Sequence, residues 1–443
     1  MASFHPVSAV QTTAQRLCMK HKLPSLHSMA AVVLILLSPA LASAQGLTWD
    51  EVKARFEAAN PTLLADALNV DEMKAEEITA FLRPNPQFTF SMDGTQIAPD
   101  DGHWIPFAGT QYQPNISYLH ERDHKRELRL KSAQEGTQIA QSQHQDLDRT
   151  LRFTLRSAFV QTLEAKTVLA MARQDLEYYD HIIQISRDRF NAGDIAQIDL
   201  DRIELLRVQY ESEIQSAIVN LRTSKIQLLQ LLNDRTPVEQ FDVTGPFDFA
   251  DSLQSLEDFR KIAFDERPDL RAALESLQQA ATNHKLAEAN GSTDPTFGAW
   301  YTYNASFNNP GADQFLGLSV NIPLRIFDRN QGEKKRTQID IGKNQQLTEA
   351  SRAQVFSDVD TAYAQVESDI ALLKPYKAKY NQQALRVRDT VTYAYEHGGA
   401  SLMDLLNAQS DYRTVQLAYL QLIGTYLTAA GQLNLAVGRE VIQ

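Results

Sequence analysis

The chain repeats itself. The segment Arg189-Phe190-Asn191-Ala192-Gly193-Asp194-Ile195-Ala196-Gln197-Ile198-Asp199-Leu200 returns in pattern, roughly two hundred residues later, as Tyr395-Glu396-His397-Gly398-Gly399-Ala400-Ser401-Leu402-Met403-Asp404-Leu405. Phe190 falls on Tyr395, Gly193 on Gly398 and Asp199 on Asp404. Each copy ends a long helical pattern, turns at a glycine and opens another helix. Asn60-Pro61-Thr62-Leu63 and Arg267-Pro268-Asp269-Leu270 correspond in the same way. A fold made of two copies of one unit is fixed as a repeat before any residue is given a role.

Two periodicities fill the repeat. Four short segments alternate as strands: Phe88, Phe90 and Met92; Tyr112, Pro114, Ile116 and Tyr118; Phe297, Ala299, Tyr301 and Tyr303; Leu316, Leu318, Val320 and Ile322. Strict alternation with aromatics on one face suits a strand with lipid on one side and water on the other. It also suits a pair of soluble hairpins with one buried face. The remainder is helical. Leu151, Leu155, Ala158, Thr162, Ala165, Leu169, Ala172, Leu176, Tyr179 and Ile183 keep a four-three seam within a helix expected over 121–190, about 100 Å long. Comparable seams run through Ile203 to Leu231, Val359 to Leu373 and Tyr412 to Ala436. Pro375 is expected to interrupt and kink the third long helix.

The expected divisions are a signal peptide over 1–44, a first repeat over 45–245, a connector over 246–267 and a second repeat over 268–443. Strands are placed at 86–93, 111–118, 297–304 and 315–323, with helical hairpins at 121–233 and 329–437. Lys20 and Lys22, the apolar run Ala30 to Leu37 and Ala42-Ser43-Ala44 form the export signal, with Met19 as an alternative start. Cys18, the single cysteine, lies upstream of that run, so the mature chain has no disulfide. A formal charge of −12 argues against nucleic acid as a partner. No run of about twenty apolar residues follows residue 45, so no membrane-spanning helix is expected there. Four strands cannot close a barrel, and unpaired amides in hydrocarbon cost several kcal/mol each, so copies must pool their strands.

Arg83-Pro84-Asn85-Pro86, Glu266-Arg267-Pro268-Asp269-Leu270, the run Pro323-Leu324-Arg325-Ile326-Phe327-Asp328-Arg329-Asn330-Gln331-Gly332-Glu333 and both glycine turns carry a likeness over about 46–440. The chain resembles TolC-type outer-membrane efflux proteins, most of all the branch serving cobalt-zinc-cadmium resistance. The resemblance implies a mainly α fold with a β-barrel part. It implies a trimeric channel in outer-membrane lipid, with a twelve-stranded barrel on a long helical tunnel through the periplasm. Implied partners are a periplasmic adaptor and an inner-membrane pump of the resistance-nodulation-division type, with divalent heavy-metal cations as cargo; drugs or a polypeptide are the alternative cargo. A periplasmic coiled-coil scaffold without a pore is the reading of a different class. No enzyme activity or cofactor is implied.

By the same resemblance Arg189, Phe190, Gly193, Tyr395 and Gly398 form the tips that dock the adaptor. The plainer reading is that the glycines end helices and the aromatics pack. Asp199 and Asp404 sit where a carboxylate suits a helix N-terminus. The resemblance adds an aperture: Asp404 repeated as a negative ring, with Asn407 where relatives can carry a second aspartate, and a closing contact between Tyr395 and Asp199. The arginine that assists that contact in relatives has no counterpart, since the position is Ala400. His120 and His124 have a spacing a metal could use, yet a solvated, charged helix start also explains them.

Overall fold

The computed structural model describes residues 46–99, 101–304 and 313–442. The expected signal peptide, Cys18 and Met19 lie outside the described residues. Thr48 caps α1 (Trp49–Ala59) in a reciprocal box with Glu51. Asn60 caps α2 (Pro61–Phe81), which opens on proline. The strands β1 (Gln87–Asp93) and β2 (Gln111–Leu119) follow, then α3 (Lys125–Ala192) and α4 (Gln197–Leu231). The second copy has α5 (Leu256–Glu266), α6 (Pro268–Ala289), β3 (Thr296–Asn304) and β4 (Gln314–Asn321). It ends with α7 (Gln331–Pro375), α8 (Asn381–Glu396) and α9 (Leu402–Val437).

One expectation needs correcting and another holds with an added detail. The long helix begins at Lys125, not near Glu121, because Asp123 and His124 take left-handed backbone (φ 55° and 56°), which no helix continues through. Pro375 interrupts its helix as expected, and α7 stops there. The chain widens into a π turn, Tyr376–Tyr380, and resumes as α8. Proline removes one ladder bond and crowds the preceding turn, and an extra residue in the turn absorbs both.

The strands form one antiparallel sheet in the order β1-β2-β3-β4. Its register gathers the alternating residues onto one face: Phe88 opposite Ile116, Phe90 opposite Pro114, Ala299 between Ile116 and Leu318, and Tyr301 opposite Leu316. That face is bare, with Phe88 72%, Leu316 79% and Leu318 78% exposed. The other face carries Gln, Thr, Ser and Asn together with Trp300, which lies across Gly317. A Cβ at Gly317 would come 2.3 Å from the indole ring, so only glycine fits beneath it.

In the helical layer α3 is the spine. Near the sheet it packs between α2 and α6, with α7 beyond α6; towards its other end it packs against α4 and α9. Each copy stacks a short helix on the end of a long one. Asn60 Nδ2 donates to the carbonyl of Leu231, 2.9 Å away, and Arg267 Nη1 to that of Ala436, 3.3 Å away. The predicted seams are the buried ones. Leu155, Thr162 and Tyr179 are buried on α3, Ile203 on α4, Val359 and Leu373 on α7, and Tyr426 and Leu433 on α9. The outer helices keep apolar side chains exposed: Leu64, Leu68 and Ile78 on α2, Leu205 and Val208 on α4, Ile339 on α7, Val387 on α8.

Candidate functional site

The glycine turns sit at the end of the helical layer farthest in sequence from the strands, and they are built alike. Gly193 and Gly398 are left-handed (φ 83° and 77°). In the first turn Gly193 N–H donates to Phe190 O (2.9 Å) and Asp194 N–H to Arg189 O (2.9 Å). In the second, Gly398 N–H donates to Tyr395 O (3.1 Å) and Gly399 N–H to Ala394 O (2.7 Å). These are matching helix stops of the Schellman kind, and they register Phe190 on Tyr395 in space as the sequence did. Both glycines are exposed; Arg189 and Phe190 are half-buried.

Asp199 and Asp404 both occupy the third position of their helices, but the caps differ. Ser401 caps α9: its hydroxyl donates to Asp404 Oδ2 (2.7 Å) and accepts from Asp404 N–H (3.2 Å). Those bonds, from the Ser401 hydroxyl first and its backbone N–H second, hold the Asp404 carboxyl below the usual range. Ala196 cannot cap α4, and Asp199 makes no side-chain hydrogen bond or ion pair among the described residues. Asp404, Asn407 and Asp411 follow one exposed face of α9.

Tyr395 faces inward and is 1% exposed, packed with Ile182, Ile185 and Leu405. Its hydroxyl lies 3.0 Å from Ser186 Oγ. Within the chain this replaces the expected contact with Asp199. Arg189 Nη1 donates to the Tyr395 carbonyl (2.7 Å), and its guanidinium covers the Tyr395 ring at 4.6 Å. The tip of the first copy is thus clasped to the last turn of α8. Farther along, the Tyr178 hydroxyl bonds Thr392, and the Arg388 guanidinium lies between the rings of Tyr178 (4.5 Å) and Tyr412 (4.2 Å). Arg413 reaches from α9 to Asp175 on α3 (3.3 Å) and Glu213 on α4, over the Tyr210 ring. Burial raises the Asp175 carboxyl above its ordinary range even with Arg413 beside it.

Sequence reasoning missed Asp175, Tyr178, Arg388 and Arg413. The available signal was Asp175, a carboxylate inside an apolar seam, which demands a partner from another helix. At the strand end, His120 lies edge-on to Phe297 and His124 is one of the left-handed residues. Among the described residues no group of three or more His, Cys, Asp or Glu is placed to hold a metal.

A sheet with one bare apolar face and two free edges, joined to a layer of very long helices, defines a class: the outer-membrane channel with a helical extension. Residues 260–439 match the family described as outer membrane efflux protein. That match covers the second copy of the repeat, and together with the relatives it supports a TolC-type outer-membrane channel reaching into the periplasm rather than an enzyme. It is 23% identical to the cobalt-zinc-cadmium resistance protein CzcC of Cupriavidus metallidurans, over 89% of this chain and 90% of that one. It is 22% identical to the pyoverdine export outer membrane protein OpmQ of Pseudomonas aeruginosa, over 71% and 66%. Its fold superposes on the crystal structure of CusC with a TM-score of 0.75 at 15% identity, covering 88% and 92%.

Proposed function

We propose that three copies close their four-stranded sheets into one twelve-stranded barrel, and their helices into a tube beneath it. In this reading the assembly is the passive outer duct of a tripartite pump. The observation that carries it is the sheet: β1 and β4 are free edges, and the apolar face is in register across all four strands. The apolar residues left bare on α2 and α4 at one side, and on α7 and α8 at the other, support the same closure. Cysteines at Thr89 and Ser319, in a chain whose one native cysteine is Cys18, test it. Oxidation should link copies into a closed trimer; chains that stay monomeric would refute it.

The cargo is divalent heavy-metal cations, on the likeness to CzcC, and the glycine tips dock a periplasmic adaptor bound to an inner-membrane pump of the resistance-nodulation-division type. A strain lacking the gene should become sensitive to cobalt, zinc or cadmium; sensitivity only to organic compounds would favour a cargo of the kind OpmQ carries. A Cβ at Gly193 would have nothing within 4 Å of it, so a leucine there meets only the backbone penalty of about 1–2 kcal/mol. Gly193→Leu or Gly398→Leu is expected to cut metal resistance while leaving assembly intact. Lost assembly would mark the turns as purely structural.

Asp404 supplies a negative ring at the mouth of the tube, three carboxylates facing one axis. Asp404→Ala is expected to reduce the cation preference of the channel, read as a smaller reversal potential across a salt gradient in planar bilayers. An unchanged reversal potential would remove the ring.

A further inference from the structure

We propose that a cavity between α1, α3 and α9 binds a small amphipathic monoanion, an aromatic or branched carboxylate, with Arg156 as its counter-ion. The inference does not rest on the duct reading.

The cavity measures about 650 Å³, within the range of small-molecule sites. Phe153, Phe159 and Leu163 of α3 and Leu427 of α9 give it apolar walls, and Trp49 of α1 lies beside them. Several arginines reach it, and most are matched by carboxylates. Arg149 has Asp146 and Asp269, Arg152 has Asp148 and Glu57, and Arg439 has Glu266. Arg156 has none. Its guanidinium lies over the Trp49 ring at 4.8 Å, and it makes no hydrogen bond or ion pair among the described residues. Arg156 is half-buried, and its guanidinium offers five N–H donors to the cavity. Burial also lowers its basicity, and the charges of Glu440 and Asp50 only partly offset that.

A second observation points the same way. Gly431 sits inside α9 at the cavity wall, although glycine is the poorest helix former after proline. A Cβ there would lie 3.5 Å from Phe153 and 3.6 Å from the Arg156 stem, ordinary contact distances. Packing within the chain therefore does not require the glycine; it keeps the space beside Arg156 open.

The location excludes another copy of the chain as the occupant. The cavity lies on the central pair, α3 and α9, whereas the bare apolar side chains that could seat another copy lie on the outer helices. Leu427, Gly431 and Leu435 share one face of α9, and the exposed Gln421, Thr425 and Gln432 lie on another, so the cavity is separate from that polar stripe.

The test is equilibrium dialysis of naphthoate against the full chain in dodecyl maltoside, with protein-free micelles as the blank. Saturable binding at one site per chain is expected, with the neutral isostere naphthylmethanol at least about tenfold weaker. Arg156→Met should weaken naphthoate by about ten- to a hundredfold, and Arg156→Lys by less, because an ammonium keeps the charge without the planar fork. Gly431→Leu should abolish binding by filling the space while Arg156 remains. Equal affinity for naphthoate and naphthylmethanol, or uptake no greater than by micelles alone, overturns the proposal on the unsubstituted protein, whatever the variants do. Undiminished naphthoate binding by folded Arg156→Met overturns it as well.

Discussion

An Arg267→Met chain is expected to lose about 3–5 kcal/mol of stability, read as a lower heat-denaturation midpoint in detergent. Arg267 is 4% exposed. It donates through Nε and Nη2 to both oxygens of Asp269 (3.0 and 2.5 Å), and through Nη1 to Asp358 (2.8 Å) and the Ala436 carbonyl. Methionine keeps the apolar stem but leaves two carboxylates and a helix-terminal carbonyl without their donor. Burial works to raise the Asp269 carboxyl, but the hydrogen bond and charge of Arg267 outweigh it and hold the group below its ordinary range. A depressed folded pKa contributes stability above the unfolded value, about 3.9, and loses it as pH falls through the folded one. The gap between the two chains should therefore narrow below about pH 4. Equal midpoints at neutral pH would mean that the network contributes nothing.

Tyr395→Ala should act on both stability and gating. Truncating a fully buried aromatic side chain costs about 3–5 kcal/mol, and here it also removes the ring beneath Arg189 and the hydroxyl beside Ser186. The clasp between the first-copy tip and α8 then loses most of its contacts. Single-channel conductance in planar bilayers is expected to rise, because the end of the second hairpin is freer to move. Tyr395→Phe separates the parts: it removes only the Ser186 hydrogen bond, about 1 kcal/mol, and should shift conductance little. An alanine variant that conducts like the unsubstituted channel would show that the clasp does not restrain the opening.

The sequence made the repeat, the four strands and the buried seams legible because each depends on local periodicity. Phe88, Ile116, Ala299 and Leu318 needed only the period of two to fall on one face. The two glycine turns were equally local, a helix stop within six residues. What lay beyond reach was phase. The seam through Val359, Val366 and Leu373 extrapolates to Val387 and Ala394, yet the structure turns Arg388 and Tyr395 inward instead. The π turn after Pro375 adds the residue that shifts the register. Its presence depends on how the helix accommodates one missing hydrogen bond, which no spacing rule reports. The partner of Asp175 was hidden for a related reason: Arg413 is over two hundred residues away, and only the packing of α3 against α9 brings them together.

The two joints where a short helix meets a long one occupy equivalent places and use different chemistry. Asn60 splices the first with a neutral amide, which acid leaves untouched. Arg267 splices the second through a guanidinium whose geometry is set by carboxylates, and protons can discharge those. Two matching copies therefore respond unequally to strong acid: the joint of the second would loosen while that of the first stays made.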